Sequence, residues 1–215
     1  MYQPPQFRED RIEMQHALIR AHPLGLLISA GPEGLLANPV PFLLDSAKSP
    51  LGTLRAHVAR ANPQWRTLSG RPVLVVFQGV DTYVTPSWYE TKRQTGKVVP
   101  TWNYATVQAR GEAKVIAGEG WLAEQTHDLT EHHESHRAEP WKVEDAPKDF
   151  VAAQLKGIIG IEIEIAKIEG KWKVSQNRPV ADRSGVAQGL SGEAAADPNA
   201  LAMAHLVQTF GAPGG

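Results

Sequence analysis

The sequence contains no cysteine. Disulfides and thiol chemistry are therefore excluded, and a metal site would have to draw on histidine and carboxylates alone. No apolar run approaches the roughly 20 residues that a membrane span needs. Neither sign of charge is in excess: 22 Lys and Arg against 23 Asp and Glu leave a net charge of −1, so whole-chain charge gives no sign of a basic nucleic-acid surface. The opening residues MYQPPQF have neither a basic n-region nor an apolar h-region, so no signal peptide is expected. These absences lead to the expectation of a soluble, cytoplasmic protein with no membrane partner. What is present is a chain of 215 residues with 42% apolar content, enough for one well-cored domain or a domain with a small appendage. Six Trp and 16 Pro are many for this length, and several fall together between Pro86 and Trp102.

The stretch Thr53 to Trp65, TLRAHVARANPQW, reads as a strand running straight into a helix. Leu54, Ala56 and Val58 alternate with Arg55, His57 and Ala59, the period of a strand with one apolar face. Asn62 is a favoured N-cap, and Pro63 suits the first helical position. A helix start favours an anion, and here Arg60 sits two residues before the cap with His57 on the strand leading in. One reading is a phosphate or other small-anion site; the other is an ordinary capped helix with Arg60 in solvent.

In chain order, Tyr2 to Phe7 is an extended arm, and Asp10 with Glu13 fits a capping box for a helix to Ala21. Leu24 to Ala30, a turn at Gly31-Pro32-Glu33-Gly34, and Leu35 to Leu44 form a hairpin. Pro39 and Pro41 within its second strand call for a sheet edge or a bulge. Pro72 to Gln78 reads as a buried strand, Gly79 to Asp81 as a turn, and Thr82 to Thr85 as a short strand. Pro86 to Lys97 is a polar loop, then Val98 to Ala117 a long strand in which Gly111 permits a bend or a close backbone approach. A helix spans Trp121 to His136 and a shorter one Pro147 to Leu155. Ile159, Ile161, Ile163 and Ile165 mark the clearest strand, with a turn at Glu169-Gly170. Ser175 to Gly189 reads as irregular, Asp197-Pro198 caps a last helix to Phe210, and 211–215 as disordered. Six or seven mostly antiparallel strands in one domain over residues 1–215 favour a closed or partly closed barrel, which hides strand edges.

Several stretches in order resemble the PaiB family, described as FMN-binding negative transcriptional regulators. They are the MYxPxxF pattern from Met1 to Phe7, AHVARANPQW from Ala56 to Trp65, YVTPSWY from Tyr83 to Tyr89, VPTWNY from Val99 to Tyr104, and SQNR from Ser175 to Arg178. The resemblance runs from Met1 to about Leu190. It implies a mainly β split-barrel FMN-binding fold with peripheral helices, related to pyridoxamine phosphate oxidase, forming a two-fold homodimer with flavin at the interface. One departure is Asn38, where the family pattern leads one to expect a histidine; contacts of that side chain do not carry over. On this resemblance Arg60 and the helix start at Asn62 suit the FMN phosphate. His57 would hydrogen-bond the phosphate or the ribityl chain. The interrupted strand at Asn38, Pro39 and Val40 would offer backbone groups to the ring edge. Trp88, Tyr89, Trp102 and Asn103 would wall the ring, from the same or the other subunit, or else form a dimer core without ligand.

His127, Glu131, His132, His133, Glu134 and His136 hold metal-like spacings, yet HExxH is absent and a third ligand would have to come from elsewhere; a solvated helix face is the reading adopted, with no metal. Lys92, Arg93 and Lys97 form a small basic loop that reads as solvated. Gln176, Asn177 and Arg178 read either as a cluster bracing the dimer or as a flavin contact. No residue declares itself a catalytic acid or base. Two functions of different class remain: an FMN-binding homodimer that represses transcription, with DNA possible as a partner but without any DNA-reading motif, and an FMN-dependent oxidoreductase whose cofactor carries the chemistry.

Overall fold

The computed structural model describes residues 1–32 and 34–210; Glu33 of the expected turn and the expected disordered end, 211–215, lie outside them. The elements in order are β1 (Arg8–Glu9), α1 (Ile12–Ala21), β2 (Leu24–Gly31), β3 (Gly34–Pro41), β4 (Leu43–Asp45), β5 (Thr53–Ala59), β6 (Arg71–Val84), α2 (Glu90–Thr95), β7 (Thr101–Ile116), α3 (Glu119–Glu134), α4 (Lys148–Lys156), β8 (Ile158–Lys173), α5 (Val180–Ser191) and α6 (Pro198–Phe210). Among the described residues no helix is long and apolar enough to cross a membrane.

The strands form one eight-stranded sheet in the order β3-β2-β6-β7-β8-β5-β4, with β1 added on β8. The path does not close: β3 and β4 end it. The registered pairs β1·β8, β2·β3, β2·β6, β4·β5 and β5·β8 are all antiparallel. In the β2·β3 hairpin Leu26 faces Pro39 and Leu24 faces Pro41, in unbroken register. β3 is therefore an edge without a bulge. Its two prolines occupy alternate positions, the parity whose N–H would face away from β2, so neither forfeits a ladder bond.

Close contacts group the residues into two compact units. One comprises Met1–Arg11, Gln78–Val107 and the chain from Glu169; the other comprises Ile12–Phe77 and Gln108–Ile168. β6, β7 and β8 each pass through both. In the second unit Leu27, Leu54, Val75, Ile161 and Ile163 are fully buried, and Phe42 meets Phe77 edge to face at 5.8 Å. In the first, Val84, Tyr89, Val107, Val174, Val186 and Leu190 are fully buried.

Five expected boundaries differ. The expected polar loop Pro86 to Lys97 holds a 3₁₀ turn, Pro86–Trp88, and α2, which Gly96 ends with a positive φ of 68°. The second hairpin strand stops at Pro41, because Phe42 turns inward to 1% exposure and its N–H bonds Pro23 O at 2.9 Å. Gly79 does not take the positive φ that a turn there would need, so β6 runs on through it. β8 likewise continues through Glu169-Gly170, where the N-terminal β1 pairs with it. Ser175 to Gly189 is not irregular: α5 begins at Val180. Its Gly185 and Gly189, which hide its helical period, sit against Trp88; a Cβ on Gly189 would stand 2.3 Å from that ring.

β5 is buried on both faces rather than one. Arg55 is 9% exposed beneath α3. Its Nε donates to Gln125 at 3.1 Å and an Nη to Asp128 at 2.6 Å.

Candidate functional site

β5 carries His57 and releases the chain at Arg60. The expected helix after Asn62 is a single 3₁₀ turn, Pro63–Thr67, closed by Leu68 N–H to Trp65 O. It goes no further because Gln64, 1% exposed, is drawn inward. The Gln64 amide donates to Leu27 O at 3.1 Å and Ser29 Oγ at 2.9 Å, and accepts from Asn38 Nδ2 at 2.8 Å. Asn62 Oδ1 caps the turn by accepting from Gln64 N at 3.0 Å. Asn38 and Asn62, far apart in sequence, thus meet through Gln64. That residue stood in the quoted motif but showed no sign of burial. Pro39 is exposed on the free edge and Val40 is buried beside it.

Arg60 is not free in solvent. Its Nε and Nη2 donate to Lys156 O and Ile158 O, each at 3.0 Å, and its N–H to Gly157 O at 2.8 Å. A cation there satisfies the last carbonyl of α4, at Lys156, together with the first of β8, at Ile158, and complements the helix dipole. The Nη1 donors remain available for a further acceptor.

His57 opens on a cavity of about 230 Å³ lined by Thr126, Trp141, Phe150, Val151 and Leu155. Its Nδ1 is buried and, among the described residues, has no hydrogen-bond partner. A buried polar atom left without a partner costs about 1–3 kcal/mol, a penalty that any partner reaching it would relieve. Burial holds the imidazole below its ordinary value of 6.5. The unfolded chain therefore takes up a proton near that value while the folded chain does so only at lower pH. Stability is full above it and falls as pH drops through the folded value. His57→Gln should flatten the dependence of the urea midpoint between about pH 7.5 and about pH 5.5; an unchanged slope would assign the dependence to other histidines such as His132, also lowered by burial and by neighbouring cations.

The remaining expected residues lie in the other unit. The Trp88 indole rests on α5, with Nε1 donating to Glu193 at 2.9 Å. Trp102 is 54% exposed and meets Tyr83 edge to face at 6.1 Å. Tyr89 and Asn103, 0% and 1% exposed, do converge. They line a small pocket of about 60 Å³ with Thr101, Lys173, Ser175 and Arg178. The Asn103 amide donates to Ser175 Oγ at 2.9 Å, and the Arg178 guanidinium lies 4.7 Å above the Tyr89 ring. Burial pushes the Tyr89 hydroxyl up, and Arg178 opposes the push. Lys173 gave no sign in the sequence beyond its place in a strand.

On α3, His127 Nδ1 lies 3.6 Å from Asp128 and 3.9 Å from Glu131, and His132 stacks edge to face on His133. Among the described residues no three such side chains converge on a common point. Of the residues expected in a basic loop, Lys92 and Arg93 lie on α2, where Arg93 pairs with Glu90 at 2.6 Å and Lys92 donates to Ser87 at 3.1 Å.

A family model described as "Putative FMN-binding domain" matches residues 1–167. An uncharacterized protein of Aspergillus fumigatus is 35% identical, over 88% of this chain and 90% of its own. The Bacillus subtilis protease synthase and sporulation protein PAI 2 is 32% identical over 97% of each chain. Among solved structures, the flavocytochrome Anf3 of Azotobacter vinelandii aligns with a TM-score of 0.57 over 77% of this chain and 69% of its own, at 15% identity. That last likeness is one of fold: the mainly β split-barrel architecture with peripheral helices.

Proposed function

The chain belongs to the family of FMN-binding domains that includes the PAI 2 protein, and from that premise we propose that it is an FMN-binding homodimer acting as a negative regulator of transcription through a partner rather than by reading DNA. Bound FMN supplies a flat redox-active ring and a phosphate dianion. The observation that carries the reading is His57, whose side chain lines a cavity and whose buried Nδ1 has no hydrogen-bond partner among the described residues. A neutral imidazole among apolar side chains suits a ribityl hydroxyl better than a phosphate. Arg60, with Nη1 in hand, takes the phosphate. The outer edge of β3 presents carbonyl oxygens and, at Pro39 and Pro41, no N–H; it meets a donor at the ring edge.

A cavity of about 230 Å³ is below the roughly 300–1,000 Å³ of ligand pockets, so it houses only part of FMN. A second copy completes the site. Trp102 and Tyr83, both large and exposed, are the aromatics such an interface would cover. Light scattering at micromolar concentration should give twice the 23.4 kDa chain mass; a clean single-chain mass would remove the interface site. The regulatory part rests on the sequence resemblance to the PaiB family. Neither α3 nor α6 carries a lysine or arginine, so neither is suited to lie along phosphates. Purified protein should be yellow and retain FMN, and give no salt-resistant mobility shift on promoter DNA by itself. Steady NAD(P)H oxidation with added FMN would replace regulation by an oxidoreductase role.

A further inference from the structure

β8 ends at Trp172-Lys173, and the chain runs on through Val174-Ser175. Alternation buries Trp172 and Val174 on one face and puts Lys173 and Ser175 on the other. Ser175 then takes φ 66°, the only positive φ of a non-glycine among the described residues. Such backbone outliers cluster at functional sites. The turn is held by Arg178 N–H to Ser175 O and by Val174 N–H to the Gln176 side chain, at 2.9 and 2.8 Å. It brings Arg178 back over Tyr89, and so to the same small pocket as Lys173.

The lining of that pocket contains two cations and no carboxylate. Among the described residues neither Lys173 nor Arg178 has an ion-pair partner. Asp182, whose charge reaches Tyr89, already has both oxygens engaged by Thr91. Lys173 Nζ donates to Thr101 Oγ1 and Trp102 O, which leaves one of its three protons unspent. The Tyr89 hydroxyl is buried, and among the described residues the donor that acts on it is Arg178. Burial and repulsion from Lys171 and Arg178 hold the Lys173 ammonium below its usual range, a penalty that a bound anion would relieve. At about 10–15 Å³ per water, the volume of about 60 Å³ holds a few waters or one tetrahedral group, and no flavin ring.

We propose that the pocket formed by Thr101, Asn103, Lys173, Ser175 and Arg178 binds one small oxyanion, a phosphate or carboxylate group. The group belongs either to FMN itself or to a separate small metabolite.

The test is calorimetric titration of inorganic phosphate, and in parallel acetate, into the full-length protein at fixed ionic strength. At least one should bind saturably to one site per chain. Lys173→Gln and Arg178→Gln should each weaken it by about tenfold or more, about one lost charged hydrogen bond, while Arg178→Lys should recover part of the loss. Should one Gln variant fail to fold, the other reads the same loss. No saturable binding of either anion to the wild type, or binding undiminished in the folded variants, overturns the proposal. Competition then identifies the source, both outcomes supporting an oxyanion site. If phosphate weakens FMN but not riboflavin, the pocket takes the flavin phosphate and Arg60 does not. If saturating FMN leaves phosphate binding unchanged, the anion is a separate ligand.

Discussion

Gly111→Ala should cost about 3 kcal/mol or more of folding stability, at the upper end of what overpacking costs. A Cβ at this position in β7 would stand 2.0 Å from Glu164 O and 2.9 Å from Ile163 Cγ2 of β8. Glu164 O is backbone in the middle of a long strand whose other edge is locked in register with β5, Thr53 facing Glu164 and Leu54 facing Ile163. No flexible side chain can swing aside. For a chain of this size about 2–4 °C is lost per kcal/mol, so the melting temperature should fall by about 6–12 °C. A fall within about 1 kcal/mol in urea unfolding would mean that β7 and β8 part easily here, and that the close approach is not a constraint on the sheet.

Arg60→Ala should weaken FMN by about tenfold to a hundredfold and leave riboflavin nearly unchanged. One charged hydrogen bond to the phosphate contributes about 1.5–3 kcal/mol, and about 1.4 kcal/mol is one decade. The structure sharpens how this must be read. Arg60 also holds the carbonyls of Lys156 and Ile158, so its loss loosens the end of α4 near Leu155, which lines the His57 cavity. That indirect effect falls on both ligands, whereas a phosphate contact falls on FMN alone. Fluorescence quenching with the two flavins separates them. Equal losses would make Arg60 a brace for α4, and no loss for either would take the phosphate away from this turn.

The parts of the fold that were legible in the sequence are those whose reasons are local. The isoleucine alternation of β8, the capping of α6 by Asp197 and the two edge prolines each declare themselves within a few residues. The misread parts answer to partners far along the chain. Gly79 and Gly170 look like turn residues, but pairing on their neighbours keeps both strands extended. α5 shows little apolar period because Gly185 and Gly189 make room for Trp88, nearly a hundred positions earlier. The same holds at the candidate sites. His57, Arg60 and Asn62 were visible as a strand-to-turn constellation. The apolar walls around His57 come from residues 126–155, and the carbonyls of Lys156 and Ile158 that engage Arg60 could not be read from TLRAHVARANPQW. Tyr89 and Asn103 were picked out as aromatic and polar neighbours in their motifs. Their pocket is completed by Lys173 and a left-handed Ser175, and no propensity announces that backbone.

The outer edge of β3 has a bearing on how this protein stays dispersed. An exposed edge strand ordinarily offers alternating donors and acceptors, a template on which any extended chain can add another strand. Here Pro39 and Pro41 leave that edge half-mute: it can accept, but it has nothing to donate at two successive outward positions. Strand-on-strand growth along the Pro39–Pro41 half of this edge is hindered without any charged gatekeeper on the strand. A ligand with a lone donor can use the same edge without competing against an added strand there.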